Sequence, residues 1–261
     1  MRLLKKIIKK LSYHLSKKGI ELFFISKKDP GSVFVTNILG KPLIANDPMS
    51  FLGQYRDIVE RNEYNFYSEN VSPYIIDCGS NIGLSIIQHK KNHPLAKVVG
   101  FEADPEIFGL LKKNINSFDI HDVSIEQAAI WIHDGELEFY QNGGSVGNIT
   151  GNESSKSVKV KSIDLREFLN VQVDLLKIDI EGGETILLNH VKDLLHNVRN
   201  IFVEFHSPVG ELQTLDSILA ILSSAGFRYY IESADVFSDQ PFLSRNHLCG
   251  FDNLITIWAY R

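Results

Sequence analysis

Cysteine, methionine and tryptophan are scarce in this chain of 261 residues, which holds two of each. Two cysteines cannot staple a disulfide scaffold. One of them, Cys78, falls in an apolar run that reads as a buried strand, so the expected compartment is the reducing cytoplasm. No Cys/His spacing suits a structural zinc site. No uninterrupted apolar run reaches the roughly 18–20 residues that cross a bilayer. The N-terminal stretch has neither the continuous apolar region nor the small-residue cleavage site of a secretory signal. Internal repeats and low-complexity tracts are absent too. With 44% hydrophobic and 23% charged residues, the composition predicts a folded globular chain.

Charge is unevenly placed. Residues 1–28 carry nine Lys/Arg and one Glu, a net of +8, and the rest carries 18 Lys/Arg and 31 Asp/Glu, a net of −13, summing to −5. The main body therefore lacks the basic face that nucleic acid requires. Leu3, Leu4, Ile7, Ile8, Leu11 and Leu15 recur at helical spacing, with Lys5, Lys6, Lys9, Lys10 and Lys17 on the other side. Residues 1–18 thus read as a basic amphipathic helix. It suits peripheral contact with an anionic membrane surface, and equally a helix docked on its own domain or on a second subunit.

The chain divides into an N-terminal helix and accessory region, 1–70, and a larger domain, 71–261. In the first part Gly31, Gly40-Lys41-Pro42 and Asn46-Asp47-Pro48 punctuate short extended stretches such as 32–36, and a helix is expected over 51–62. In the second, short apolar runs at 74–76, 98–101, 173–178 and 201–205 are separated by amphipathic segments such as 106–116 and 185–195. Strands alternating with helices predict a mostly parallel, Rossmann-like α/β sheet covered on both faces. Asp134-Gly135 suggests a turn between extended segments 124–130 and 136–140, and the Gly/Ser/Asn-rich stretch 141–157 reads as a mobile loop.

The first run leads into Asp77-Cys78-Gly79-Ser80-Asn81-Ile82-Gly83 and a helix over 84–91. A strand, a glycine turn and a helix start make half of a nucleotide site. Gly79 permits the turn and Gly83 permits close packing. A dinucleotide fingerprint needs G-x-G-x-x-G. The spacing here is G-x-x-x-G, and Asp77 would repel a pyrophosphate. It suits instead the ammonium of S-adenosylmethionine, directly or through water. Asp77, Gly79, Asn81 and Gly83 are accordingly candidate donor contacts. Glu102 ends the second run, 23 positions after Gly79, where an acid receives a ribose diol. Ala128, with Gln127 and Ala129 in the extended segment 124–130, leaves room for an adenine.

Four blocks in order, Asp77–Gly83, Phe101-Glu102-Ala103-Asp104-Pro105, Asp174–Glu184 and Glu204-Phe205-His206, resemble the FkbM-type S-adenosylmethionine-dependent methyltransferases. The third block is the most distinctive. Ser80, Ala103 and Gly183 depart from the usual Ala, Pro and Ala without removing a charge. The resemblance implies a seven-stranded sheet with an antiparallel last strand over 254–260. It also implies O-methylation of hydroxyls on sugars, glycolipids or secondary metabolites.

A hydroxyl must lose its proton as it takes a methyl group, so a base is expected near the acceptor. Asp179 and Glu181 follow the 173–178 strand and His206 ends the next one, and these are the candidates. His206 is suited by its ordinary pKa of about 6.5. Lys177, sharing a side with Asp179, is a further catalytic candidate, Asp179 is also a candidate donor contact, and Glu204 could orient a neighbour or pair with Lys177. Glu184 reads as a favourable charge in a helix's first turn. Asp179, Glu181 and His206 also resemble hard-cation ligands, an alternative that spacing leaves open and does not favour. Two rivals remain at this stage, a cofactor-binding protein without catalysis and an NAD-dependent oxidoreductase.

Overall fold

The computed structural model describes residues 16–141, 147–148, 156–233, 238, 240–244, 247 and 250–261. The basic helix expected within residues 1–18 lies, up to residue 15, outside the described residues. Ser16 caps helix α1 (Lys17–Ile25) by accepting from the Gly19 amide. The antiparallel pair β1 (Phe34–Thr36) and β2 (Leu43–Ala45) follows. Next comes α2 (Pro48–Gln54), which runs on into a π-helical turn, Tyr55–Glu60. The helix expected over 51–62 therefore starts and ends earlier. The reason is local: Asp47 accepts from the Ser50 amide and Pro48 opens the helix, so the Asn-Asp-Pro run is a helix start.

The larger part carries β3 (Tyr74–Cys78), α3 (Leu84–Asn92), β4 (Lys97–Glu102), α4 (Pro105–Ser117), β5 (Val123–Gln127), β6 (Ala129–Trp131), β7 (Gly135–Gln141), β8 (Gly147–Asn148) and β9 (Lys156–Asp164). Then follow β10 (Val173–Ile178), α5 (Glu184–Val191), β11 (Val198–Pro208), α6 (Leu215–Ser224), β12 (Arg228–Ser233) and β13 (Phe251–Tyr260). The central sheet has the order β12-β13-β11-β10-β3-β4-β5. Its inner pairs are parallel, and β13 runs antiparallel to both neighbours. This is the α/β, seven-stranded Rossmann-like sheet with an antiparallel last strand.

Both faces are apolar because successive side chains alternate across a strand. Ile76, Leu176, Ile201 and Val203 face the core under α5 and α6. Ile75, Leu175 and Phe202 face a second core with α3, α4 and the N-terminal elements. Leu43, Phe51 and Tyr55 are buried in that second core, so residues from both sides of position 70 share it. Among the described residues no helix is long and apolar enough to cross a membrane.

Between β5 and β10 the chain builds a separate sheet in the order β6-β9-β7-β8. Here one expectation is corrected. The extended segment 124–130 breaks at Ala128: β5 pairs with β4, while β6 pairs with β9 in the small sheet. The two strands flanking Asp134-Gly135 are separated by β9, which runs parallel to β6 and antiparallel to β7. Local turn chemistry is blind to a strand arriving from 20 or so residues later. The loop expected over 141–157 includes strand residues at 147–148 and 156–157, and its remainder past Gln141 lies outside the described residues.

Gly83 has φ +89°, and a Cβ there would stand 2.6 Å from Leu111 Cδ1. Gly83→Ala is expected to lower stability by about 1–3 kcal/mol through left-handed strain and overpacking against α4. Urea unfolding checks it, and an unchanged midpoint would contradict the packing described.

Candidate active site

The carboxyl ends of β3, β4 and β10 meet in one cavity, lined among others by Gly79, Asn81, Glu102, Ala128, Asp179 and Glu181. Three loops are stitched together there by main-chain bonds. The amides of Gly79 and Ser80 donate to the Phe101 carbonyl, at 3.0 and 2.8 Å, and the Asp179 amide donates to the Cys78 carbonyl at 3.2 Å. Gly79 (φ +84°) is required by this close approach, since a Cβ would stand 1.9 Å from the Asp179 carbonyl oxygen. Gly183 has a similar cause: a Cβ would meet the Trp131 ring at 2.7 Å.

Glu102 is a hub of the wall. Its carboxylate accepts from the Asn81 amide at 2.9 Å and from the Asp104 amide at 2.9 Å, one bond to each oxygen. Burial nevertheless pushes its pKa up to about 7 against those two amides. Each oxygen keeps a second lone pair for a ligand hydroxyl. Asn81, with φ +49°, lines the cavity, and Ala128 is buried beside Ala129 and Phe139. Phe139 comes from the small sheet and Ile107 from α4, neither of which has a sequence signal beyond being apolar.

Asp77, expected to meet an ammonium directly or through water, is fully buried and is not among the residues lining the cavity. Lys177 stands directly opposite it in the parallel register of β3 and β10. The Lys177 ammonium lies 3.2 Å from Asp77 Oδ1 and 3.3 Å from Asp179 Oδ2, and donates to the Gly79 carbonyl at 2.7 Å. Ser85 Oγ donates to the other Asp77 oxygen at 2.5 Å. Burial alone would lower the Lys177 pKa, but Asp77 and then Asp179 outweigh it and raise it above the usual lysine value. No ion pair joins Lys177 to Glu204 among the described residues; Glu204 feels Lys177 only as a distant charge.

His206 is 4% exposed and sits among acids. Nε2 is 3.2 Å from Glu181 Oε2 and 4.0 Å from Asp179 Oδ1, and Nδ1 is 3.2 Å from Glu184 Oε1. Burial would lower its pKa, but Glu181 and then Glu184 raise it well above the ordinary value of 6.5 on which its candidacy as a base rested. Glu184 is also more than a helix-end charge: it is fully buried and accepts from the Ile180 and Gly182 amides, at 3.2 and 3.0 Å, while holding the His206 ring.

Glu181, in a left-handed conformation with φ +59°, keeps its side chain 24% exposed at the cavity. Burial raises its pKa to about 8, with His206 opposing and Asp179 adding to the rise. Glu204 is raised to about 7 by burial and then Asp179. Glu63, unpredicted and supplied by the N-terminal region, is likewise raised to about 7 by burial. Asp179, Glu181 and His206 each offer a ligand atom within 4.8 Å of the others, a spacing a hard cation could bridge.

The model of the methyltransferase FkbM domain matches residues 77–229, more than half of the chain. Methyltransferase 1 of Beauveria bassiana is 26% identical over 189 residues, covering 62% of this chain and 75% of that protein. Methyltransferase sdnD of Sordaria araneosa is 26% identical over 225 residues, covering 71% and 85%. Among solved structures, a SAM-dependent methyltransferase from Agrobacterium tumefaciens matches with TM-score 0.51 at 11% identity, over 89% of this chain and 71% of that one. At that identity the likeness speaks for the fold alone.

The buried acids set a pH dependence. The folded pKa values of Glu63, Glu102, Glu204 and Glu181, about 7, 7, 7 and 8, lie above the unfolded carboxyl value. The native state then holds protons that the unfolded chain releases, so stability falls as pH rises through those values. The raised His206 pKa has the same sign, its contribution being lost at higher pH still. His89, lowered to about 4 by burial, opposes this only below its unfolded value of about 6.5. The melting temperature of the ligand-free protein should therefore fall between about pH 6.5 and 8, and less steeply in Glu102→Gln. A flat or rising profile would contradict the burial of these acids.

Proposed function

This chain belongs to the FkbM methyltransferase family, and we propose that it moves a methyl group from S-adenosylmethionine to a hydroxyl of a neutral, polyhydroxylated acceptor such as a sugar or glycolipid. The observation that carries this reading is one cavity lined by both Glu102 and Glu181, the latter 3.2 Å from the buried His206 ring. An oxidoreductase reading is set aside by the family.

The residues present fit the donor. Gly79, Asn81 and Ala128 leave the wall open, Glu102 would receive the ribose hydroxyls, and Phe139 and Ile107 would offer apolar surface to the adenine. Asp77 acts at one remove, by holding the Lys177 ammonium that ties the donor loop to Asp179. S-adenosylmethionine, when bound, supplies an activated methyl group. The chain's own part is to orient the acceptor and take its proton.

Asp179 and Glu181 line the cavity, where carboxyl oxygens accept hydrogen bonds from hydroxyls, which favours a neutral, hydroxylated acceptor at the reacting end. The hydroxyl proton passes to the Glu181 carboxylate, whose pKa of about 8 is close to the operating pH. His206, held by Glu184, lowers that pKa with its charge and keeps the carboxylate aimed. Asp179 completes the wall and is kept in place by Lys177.

Calorimetry and turnover test the two halves separately. Glu102→Ala is expected to weaken donor binding by about 1–3 kcal/mol. Unchanged affinity would remove Glu102 from the donor site.

Glu181→Gln should lower turnover by about two to four orders of magnitude with donor affinity nearly intact. Turnover of the native enzyme should rise with pH to about 8, and His206→Asn should move that profile to higher pH by removing the neighbouring positive charge. A normal rate in Glu181→Gln, or activity lost in chelator and restored by magnesium or manganese, would reassign these side chains, in the second case to a cation.

A further inference from the structure

Helix α1 is apolar on two sides. Leu22 and Ile25 pack inward against the core shared with α2 and β1, and Glu21 accepts from Thr36 Oγ1 and the Asn37 amide. The outward side is not polar. Ile20, Phe23 and Phe24 stand 45%, 58% and 64% exposed, at a spacing that places them in one stripe. The Phe23 and Phe24 rings meet edge to face at 5.9 Å, and Lys27 Nζ stands 5.4 Å over Phe23. Val35, the outward residue of β1, is 59% exposed on the strand that Glu21 ties to the helix. Single exposed apolar residues are ordinary, but two adjacent aromatics in a continuous stripe call for an occupant.

We propose that this face of α1 docks the enzyme on an anionic lipid bilayer. Charge selects that occupant. Lys17, Lys18, Lys27 and Lys28 are all exposed, and Glu21, the helix's one acid, is turned to Thr36 and Asn37. Residues 29–261 are net −13, so an anionic surface is drawn to this end of the chain and repelled by the rest. Phenylalanine rings enter the boundary between headgroups and acyl chains while lysines stay at the headgroups. The sequence that precedes this helix is likewise rich in lysine and apolar residues.

Co-sedimentation of the full chain with vesicles tests the assignment, using phosphatidylcholine alone and phosphatidylcholine mixed with phosphatidylserine. The chain should sediment with the mixed vesicles only, and less as salt rises. The pairs Phe23→Ser with Phe24→Ser, and Lys27→Glu with Lys28→Glu, should each lower partitioning about tenfold or more. All four positions are exposed, so circular dichroism and melting temperature should not change. The proposal is overturned if the native chain does not bind mixed vesicles or if neither variant pair weakens binding. It is overturned too if binding emerges only after residues 1–15 are removed, since that segment would then cover the face. Dimerisation lost in the Phe23→Ser, Phe24→Ser variant without vesicle binding would instead assign the face to a second copy.

Discussion

One buried ammonium organises the catalytic end of this protein. Lys177 is the residue of β10 directly opposite Asp77 in β3, and it reaches Asp77, Asp179 and the Gly79 carbonyl at once. Taking a lysine and two carboxylates out of water costs several kcal/mol per ion, so the arrangement holds only with all partners in place. Removing one partner of such a buried pair typically costs about 3–5 kcal/mol. The glycine loop after β3 and the acid-bearing turn after β10 are therefore held to one another. Gly79 is the steric counterpart of that lock, since no other side chain could lie against the Asp179 carbonyl.

Around this lock the acids outnumber the bases. Glu63, Asp179, Glu181, Glu184 and Glu204 share the neighbourhood with Lys177 and His206, and three of those acids have pKa values raised to about 7 or 8. On the proposed function, a site that takes a proton near neutral pH gains from this surplus, because a carboxylate at its ordinary pKa is too weak a base. His206 opposes the rise at Glu181, and Glu184 holds its ring.

Much of the fold was legible in the residues. Apolar runs at 74–76, 98–101 and 173–178 became β3, β4 and β10 because strands buried on both faces leave continuous apolar stretches. Glycine and acid spacing located the loop and Glu102. The small sheet was not legible, because β9 enters between β6 and β7 from a distance that local pattern cannot sense. Nor were Glu63 and Phe139 legible as members of the site, since an acid in an accessory region and a phenylalanine in an extended run carry no positional signal.

By itself the sequence determined the alternation of strands and helices, the glycine loop after β3, the acid at the end of β4 and the family, all of which rest on short-range periodicity and motif spacing. Only the tertiary structure decided which charged groups stand together. Asp77 is the buried counter-ion of Lys177, Glu184 supports His206 besides standing in a helix's first turn, and the acids around His206 raise its pKa above the ordinary value. The physical reason is common to the three. A charge's role depends on which other charges stand within a few ångströms and how much water is excluded, and strand register and chain packing settle both.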